Sequence, residues 1–190
     1  MAKLYFYHGA MGSSKTATAL MTRYNYLEKG KKPLLLKPSI DSRDGELVVK
    51  SRIGIAAECI LFEIFQTYSQ QQVQQYDVII VDECQFLTTE QVEFCAHIVD
   101  DFQIPVLCYG LKTDFTSHLF EGSKRLLELA DYIHEIPTVC WCGQKAHFNA
   151  RVVDGKMITE GEQIMLGANE SYVSLCRKHF INHQVKPDNE

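Results

Sequence analysis

Residues 3–37 constrain the fold more than any other stretch of this chain. "KLYFY" (residues 3–7) is a β-prone run that stops at His8-Gly9, and "GAMGSSKT" (residues 9–16) follows it. The next segment, "KTATALMTRYNYLEKGKK", places Ala19, Leu20, Tyr24 and Leu27 at helical intervals and ends at Gly30. "KPLLLKPSI" then supplies a second strand over Pro33–Lys37. Strand, glycine loop, helix and strand in this order form a βαβ unit, which commits the chain to a parallel sheet. A loop in that position suits a phosphate, because backbone N–H groups at a helix N-terminus and the helix dipole both attract anions. The pattern G-x-x-x-x-G-K-[ST] is met at Gly9, Lys15 and Thr16, while Ser14 stands where the second glycine belongs. Lys15 is suited to reach the β and γ phosphates and the Thr16 hydroxyl to ligate Mg2+. The competing reading of the loop alone is an ordinary strand-to-helix turn with an exposed lysine.

A second element supports the phosphate reading. In "YDVIIVDECQF" four consecutive apolar residues, 78–81, read as a strand buried on both faces. Asp82 and Glu83 follow at its carboxyl end, where open α/β sheets place their ligands and where an aspartate holds magnesium. Downstream, the pattern predicts a helix over residues 89–100, a strand over 104–111, a helix in "HLFEGSKRLLELA" and a short extended "DYIHEI". Between the two motifs, residues 41–54 read as a polar loop, "AECILF" as a short apolar piece, and 62–75 as one helix with glutamines on a solvated face. From residue 137 the character changes. "ARVVDGKMIT" sets Asp154-Gly155 between two β-prone runs and predicts a hairpin. The expected fold is therefore α/β: a P-loop NTPase (RecA-like) parallel-sheet core over residues 1–136, with a small C-terminal zinc-binding lobe over 137–190.

The cysteines of the lobe leave zinc and no metal equally open by pattern alone, and the family resemblance given below selects zinc. Cys140 and Cys142 form C-x-C, and Cys176 and His179 form C-x-x-H after a spacer of 33 residues. Three thiolates and an imidazole suit a tetrahedral structural zinc site, although C-x-C is tighter than the usual C-x-x-C. Cys59, Cys84, Cys95 and Cys108 lie in apolar segments and read as buried small hydrophobes. Seven cysteines without an apolar leader at the amino end argue for a reducing cytoplasm rather than a disulfide framework. A length of 190 residues with 46% hydrophobic and 23% charged residues suits one globular domain with an appendage. The formal charge of −5 argues against a protein that grips nucleic-acid phosphates, and no run of eighteen apolar residues suggests a membrane span.

A GTPase would need an N-K-x-D motif, and the nearest candidate, "LKTDF" (residues 111–115), has no asparagine. The chain does resemble the type II (cellular and bacterial) thymidine kinases. The resemblance rests on "GAMGSSKT", "DSR" (41–43), "SRIG" (51–54), "DECQF" (82–86), "YGLKTDF" (109–115) and "GANESYVSLCRKHF" (167–180), in family order. It implies transfer of the γ-phosphoryl of ATP to the 5′-hydroxyl of thymidine or deoxyuridine, in pyrimidine salvage for DNA synthesis. It assigns Glu83 as general base. Gly9, Ala10, Met11, Gly12, Ser13, Ser14, Lys15 and Thr16, with Asp82, Glu83, Cys84 and Gln85, would contact ATP and Mg2+. Asp41 and Arg43 would lie near the phosphates and metal, with Phe86, Leu111 and Phe115 around the nucleoside base. Tyr172 would sit on a lasso loop over the base, with the backbone of Gly167 and Ala168 reading the pyrimidine edge. Asn149 falls where the family lines the pocket for the thymine 5-methyl group. The family's zinc lobe matches Cys140, Cys142, Cys176 and His179. The resemblance further implies a homotetramer inhibited by the end-product triphosphate, with no nucleic-acid or membrane partner. The alternative is a zinc-containing P-loop ATPase or nucleotide switch acting on a nucleic acid or protein. With the P-loop and the cysteines at opposite ends of the chain, losing zinc is expected to weaken thymidine binding far more than ATP binding.

Overall fold

The computed structural model describes residues 1–41, 47–164 and 171–186. The first strands are β1 (Leu4–His8), β2 (Pro33–Lys37), β3 (Val48–Lys50), β4 (Ala56–Glu58), β5 (Ile60–Leu61), β6 (Val78–Val81), β7 (Val106–Gly110) and β8 (Tyr132–Glu135). Between them run α1 (Lys15–Glu28), α2 (Phe62–Phe65), α3 (Gln70–Val73), α4 (Thr89–Phe102) and α5 (Glu121–Leu129). The remaining elements are β9 (Thr138–Val139), β10 (Lys145–Ala146), β11 (Phe148–Val153), β12 (Lys156–Ile158), β13 (Ser171–Leu175) and α6 (Arg177–Ile181).

β6 explains the layering. All four of its residues are buried, and alternate side chains feed different cores. Ile79 and Val81 join Leu4, Phe6, Leu34 and Leu36 against Val92, Cys95, Ile98 and Val99 of α4 and Leu126 of α5. Val78 and Ile80 join Leu35, Leu107 and Tyr109 against Ala19 and Leu20 of α1. A sheet covered by helices on both faces is the expected home for parallel strands. The six-stranded sheet has the order β5-β2-β6-β7-β1-β8, with neighbouring strands parallel. Its carboxyl ends finish nearly level, with His8 beside both Gly110 and Glu135. The loops after β1, β6 and β7 therefore meet at one edge.

Two sequence expectations need correction. The glutamine-rich segment is not one helix but two single turns, α2 and α3. The Thr67 hydroxyl bonds back to the Ile64 carbonyl at 2.7 Å, and Ser69 starts a new turn through a capping box with Gln72. Local side-chain bonding there competes successfully with helix continuation. The polar loop over 41–54 also contains a strand, because β3 pairs with β4 as an antiparallel hairpin.

Beyond β8 the packing changes to small antiparallel pieces. β10 pairs with β9, and β11 lies between β12 and β13. The β11–β12 turn carries Asp154 at φ 49° and Gly155 at φ 76°. Two successive left-handed residues match the twist of a tight hairpin, which is why Asp-Gly marks it. The α4 start is equally local. Thr88 accepts a hydrogen bond from the Gln91 N–H at 3.3 Å, and the Gln91 side chain accepts from the Thr88 N–H at 3.0 Å. Replacing Thr88 by alanine should cost about 1 kcal/mol; urea denaturation followed by circular dichroism measures it, and an unchanged midpoint would show the cap to be inert.

Candidate active site

The phosphate loop is shaped by steric limits. Any Cβ at Gly9 would lie 2.4 Å from both the Ile136 carbonyl oxygen and Ser13 Oγ. Gly12 and Ser14 both adopt left-handed backbone, at φ 72° and 60°. The position where the pattern wants glycine thus requires positive φ, and Ser14 supplies it against a cost of about 1–2 kcal/mol. Lys15 folds back across the loop, donating to the carbonyls of Gly9 at 3.1 Å and Ala10 at 2.9 Å and to Ser13 Oγ at 3.2 Å. Burial lowers its pKa, opposed by the charges of Glu83 and Asp82. An ammonium held in that way is poised to exchange neutral carbonyls for an anion.

Opposite the loop lies the acidic edge. Asp82 is 4% exposed, and burial pushes its carboxyl up to about 7; the Glu83 charge adds to the shift and the Thr16 hydroxyl, bonded to it, opposes it. The strand ends when Glu83 turns left-handed at φ 52° into a short 3-10 turn over Cys84–Phe86. Gln85 then comes back beneath it. Its Nε2 donates to Glu83 Oε2 at 2.5 Å, and its Oε1 accepts from the Leu111 N–H at 3.0 Å. At Gly110 a Cβ would lie 2.5 Å from Gln85 Oε1 and 2.7 Å from Cys84 Sγ, so glycine there lets the buried amide reach both partners. Lys15, Thr16, Asp82, Glu83, Asp41 and Leu111 face one cavity of about 770 Å3, whose wall includes residues 11–17 and 49–54.

The second half of the site comes from the lobe. Strands β11 and β13 alternate between two functions. Ala150, Val173 and Leu175 point into a small core with Cys140, Cys176 and Phe180. On the opposite face, Asn149 is paired in register with Ser174, and Arg151 with Tyr172. Arg151 is 1% exposed; its guanidinium lies 3.8 Å from the centre of the Phe115 ring and its Nε donates to Tyr172 Oη at 3.0 Å. A desolvated cation–π contact of this kind contributes about 2 kcal/mol. Its other nitrogen atoms donate to the carbonyls of Glu162 at 3.0 Å and Gln163 at 3.4 Å. Phe86 packs edge-on against Phe120, with ring centres 5.8 Å apart.

Cys140, Cys142, Cys176 and His179 converge, with their ligand atoms all within 4.8 Å of one another. His179 Nδ1 lies 3.3 Å from the sulfurs of Cys140 and Cys176, and the sulfurs of Cys142 and Cys176 are 3.9 Å apart. Tetrahedral zinc with Zn–S near 2.3 Å places sulfurs roughly 3.8 Å apart, so this donor set fits that ion. The His179 backbone N–H, directed at Cys176, holds that thiol below its ordinary pKa and favours the thiolate.

Residues 2–180 match the thymidine kinase family model. Proteins named thymidine kinase from Vibrio vulnificus and Shewanella oneidensis are 46% and 47% identical over 186 residues, which is 95% of this chain and 97% of each relative. A Pasteurella multocida thymidine kinase is likewise 47% identical over the same span. The chain belongs to the thymidine kinase family. A Pif1 helicase structure superposes on 70% of this chain and 39% of its own, at 14% identity and a TM-score of 0.46, too loosely to bear on fold or function. The family match does not favour the alternative of a nucleotide switch acting on a nucleic acid or protein.

The thymidine kinase motifs meet in space as follows. Residues 11–16 of the loop, Asp82, Glu83, Asp41 and Leu111 share the cavity, Gly9 and Ala10 are buried behind it, and Phe115 and Tyr172 are joined through Arg151. Cys84 and Gln85 are buried beneath that cavity and contact protein. Arg43, Gly167 and Ala168 lie outside the described residues. Asn149 differs from expectation. It is 3% exposed, its Oδ1 accepts from the Met11 N–H at 2.7 Å, and its Nδ2 donates to the Thr113 carbonyl at 2.9 Å. The amide thus faces backbone on both sides instead of an open pocket. Three residues with no role expected from sequence also matter. Arg52, within the "SRIG" stretch, lines the cavity and would sit 3.8 Å from a Cβ at Gly12. Arg151 carried no motif that could have revealed it, and the Ser174 hydroxyl, which bonds to the Met11 carbonyl, lies within the 167–180 stretch without an expected role.

Ser14→Gly should leave turnover within about tenfold, because glycine holds the same backbone without strain. Lys15→Ala should lower it by a further order of magnitude or more. Steady-state assays of both variants check this, and the reverse ranking would refute the loop geometry.

Proposed function

We propose that this thymidine kinase family member transfers the γ-phosphoryl of ATP to the 5′-hydroxyl of thymidine, and of deoxyuridine, giving the 5′-monophosphate for pyrimidine salvage. One observation carries the reading: Lys15, Thr16, Asp82 and Glu83 converge on a single cavity that also reaches Leu111. In it the N-terminus of α1 and Lys15 would bind the phosphates, with Arg52 across from them. Thr16 and Asp82 would hold Mg2+, which supplies charge neutralisation at the transferring group. A cation there removes the reason for Asp82 to stay protonated.

Glu83 is the proposed general base. A bond forms between the 5′-oxygen and the γ-phosphorus, the bond from that phosphorus to the bridging oxygen of ADP breaks, and the hydroxyl proton passes to the Glu83 carboxylate. Gln85 orients that carboxylate through the 2.5 Å bond. Such transfers have loose transition states, so holding both groups in place contributes most of the rate. Phe86, Leu111, Phe115 and Tyr172 are proposed to enclose the nucleoside, Gly167 and Ala168 to read its base edge, and Asp41 and Arg43 to lie near the phosphates and metal.

Structural zinc at Cys140, Cys142, Cys176 and His179 belongs to the same proposal, supported by the sulfur and nitrogen spacing. So does self-association into a tetramer. Its support is the edge strand β8, where Tyr132 and His134 stack with Tyr5 and Tyr7 and where Tyr132 and Ile133 are 48% and 45% exposed. Exposed aromatic edges are surfaces that proteins usually cover. End-product triphosphate would inhibit by occupying both halves of the site. A cytoplasmic location is in keeping with seven free cysteines, and no helix among the described residues is long and apolar enough to cross a membrane.

ATP consumption should rise in proportion to added thymidine, and Glu83→Gln should lower kcat by about 10²-fold or more while nucleotide still binds. Turnover stimulated by DNA but not by nucleosides would overturn the function, and wild-type kcat in the variant would overturn the base assignment. Elemental analysis should find about one zinc per chain. Because the lobe grips the phosphate loop, chelation should weaken nucleotide and thymidine binding together; retained affinity for both in metal-free protein would make the metal dispensable.

A further inference from the structure

The phosphate cavity and the proposed nucleoside pocket draw on different parts of the chain. The phosphate loop, Asp82 and Glu83 precede residue 136, whereas Arg151 and Tyr172 lie on the β11–β13 sheet. Reaction between two bound groups depends on how these halves are held relative to each other.

Among the described residues several contacts join them, including Gln163 with Asp114 and Arg151 with Phe115, and three of the hydrogen bonds fall on one turn of the phosphate loop. Asn149 accepts from the Met11 N–H at 2.7 Å. Ser174, its register partner on β13, donates to the Met11 carbonyl. Thr138 Oγ1 donates to the Gly12 carbonyl at 3.3 Å. The same Asn149 amide donates at 2.9 Å to the carbonyl of Thr113, two residues before Phe115. One buried side chain therefore ties together the loop that carries Lys15, the segment that carries Phe115 and the strand pair that carries Tyr172. Asn149 has both ends of its amide committed to partly buried backbone groups, so replacing it breaks both bonds at once.

We propose that Asn149, with Ser174 as its partner, is a positioning residue for phosphoryl transfer: it fixes the separation of the phosphate loop from the nucleoside pocket. The proposal rests on the nucleoside lying against Phe115 and Tyr172, as set out above. Asn149 touches neither reacting group. Its effect is on the fraction of bound pairs held at attack distance, and a misplacement of about 1 Å can cost about 10²-fold in rate. Loss of the bridge should consequently appear in kcat more than in either KM.

Asn149→Leu keeps the size of the side chain and removes both hydrogen bonds. Ser174→Ala removes one bond, and Ser174→Thr restores a hydroxyl. Steady-state kinetics with ATP and thymidine should show kcat reduced about 30-fold or more in Asn149→Leu, with both KM values within about threefold of wild type. Ser174→Ala should lose about 5- to 10-fold in kcat, and Ser174→Thr should recover to within about twofold. Calorimetric melting on the same samples reports the folded fraction. An unchanged kcat in Asn149→Leu overturns the proposal, as does activity lost only in step with folded protein or only through KM. Should Asn149→Leu not fold, the same division between kcat and KM in Ser174→Ala against Ser174→Thr decides. Tyr172→Ala separates the two readings: an unmoved thymidine KM there would reject the nucleoside pocket itself, whatever the Asn149 variants show.

Discussion

Asp82 sits at the end of β6, a strand whose every residue is buried, and water reaches little of its carboxyl group. Taking a carboxylate out of water is costly, and burial together with the neighbouring Glu83 charge pushes its pKa up to about 7. The fold tolerates this because the strand behind it fills two cores at once. Around that carboxyl, the Thr16 hydroxyl, the Lys15 ammonium and the Glu83 carboxylate are each bonded to protein groups. The unliganded site is therefore assembled at an energetic cost that a divalent cation and a polyphosphate would relieve.

Much of this was legible in local sequence. β2 and β6 fall where their apolar runs predict, because a strand buried on both faces needs no alternation to be recognised. The Asp154-Gly155 hairpin and the loop of residues 9–16 were also visible, since turn chemistry is a short-range property. Boundaries were weaker where side chains compete with backbone. Ser69 ended a helix that periodicity alone extended to residue 75. The left-handed backbone at Ser14 could not be inferred, because serine carries no signal for positive φ.

The contacts between the two halves were illegible for a different reason. Met11 and Asn149 are 138 residues apart, and Met11 and Ser174 are 163 apart. Nothing in an asparagine within "HFNAR" distinguishes a pocket-lining amide from a bridging one. Family resemblance assigned Asn149 to the nucleoside pocket, and only its partners reveal that its polar atoms are already used. The same holds for Arg151, which sequence alone would leave as a hairpin surface residue and which is nearly inaccessible.

The β11–β13 sheet accounts for the metal cluster better than the lasso alone does. A three-stranded sheet this small buries little apolar surface, yet one of its faces must be polar to meet the phosphate loop and the Thr113 carbonyl. Its stability then falls to the other face, where Ala150 and Leu175 offer modest side chains against Cys140 and Cys176. Small domains with thin cores commonly need a metal or a disulfide. With zinc at Cys140, Cys142, Cys176 and His179, the same strand that carries Tyr172 and Ser174 on one side is anchored through Cys176 on the other. The cysteine–histidine cluster and the contacts to the phosphate loop accordingly lie on opposite sides of one small sheet.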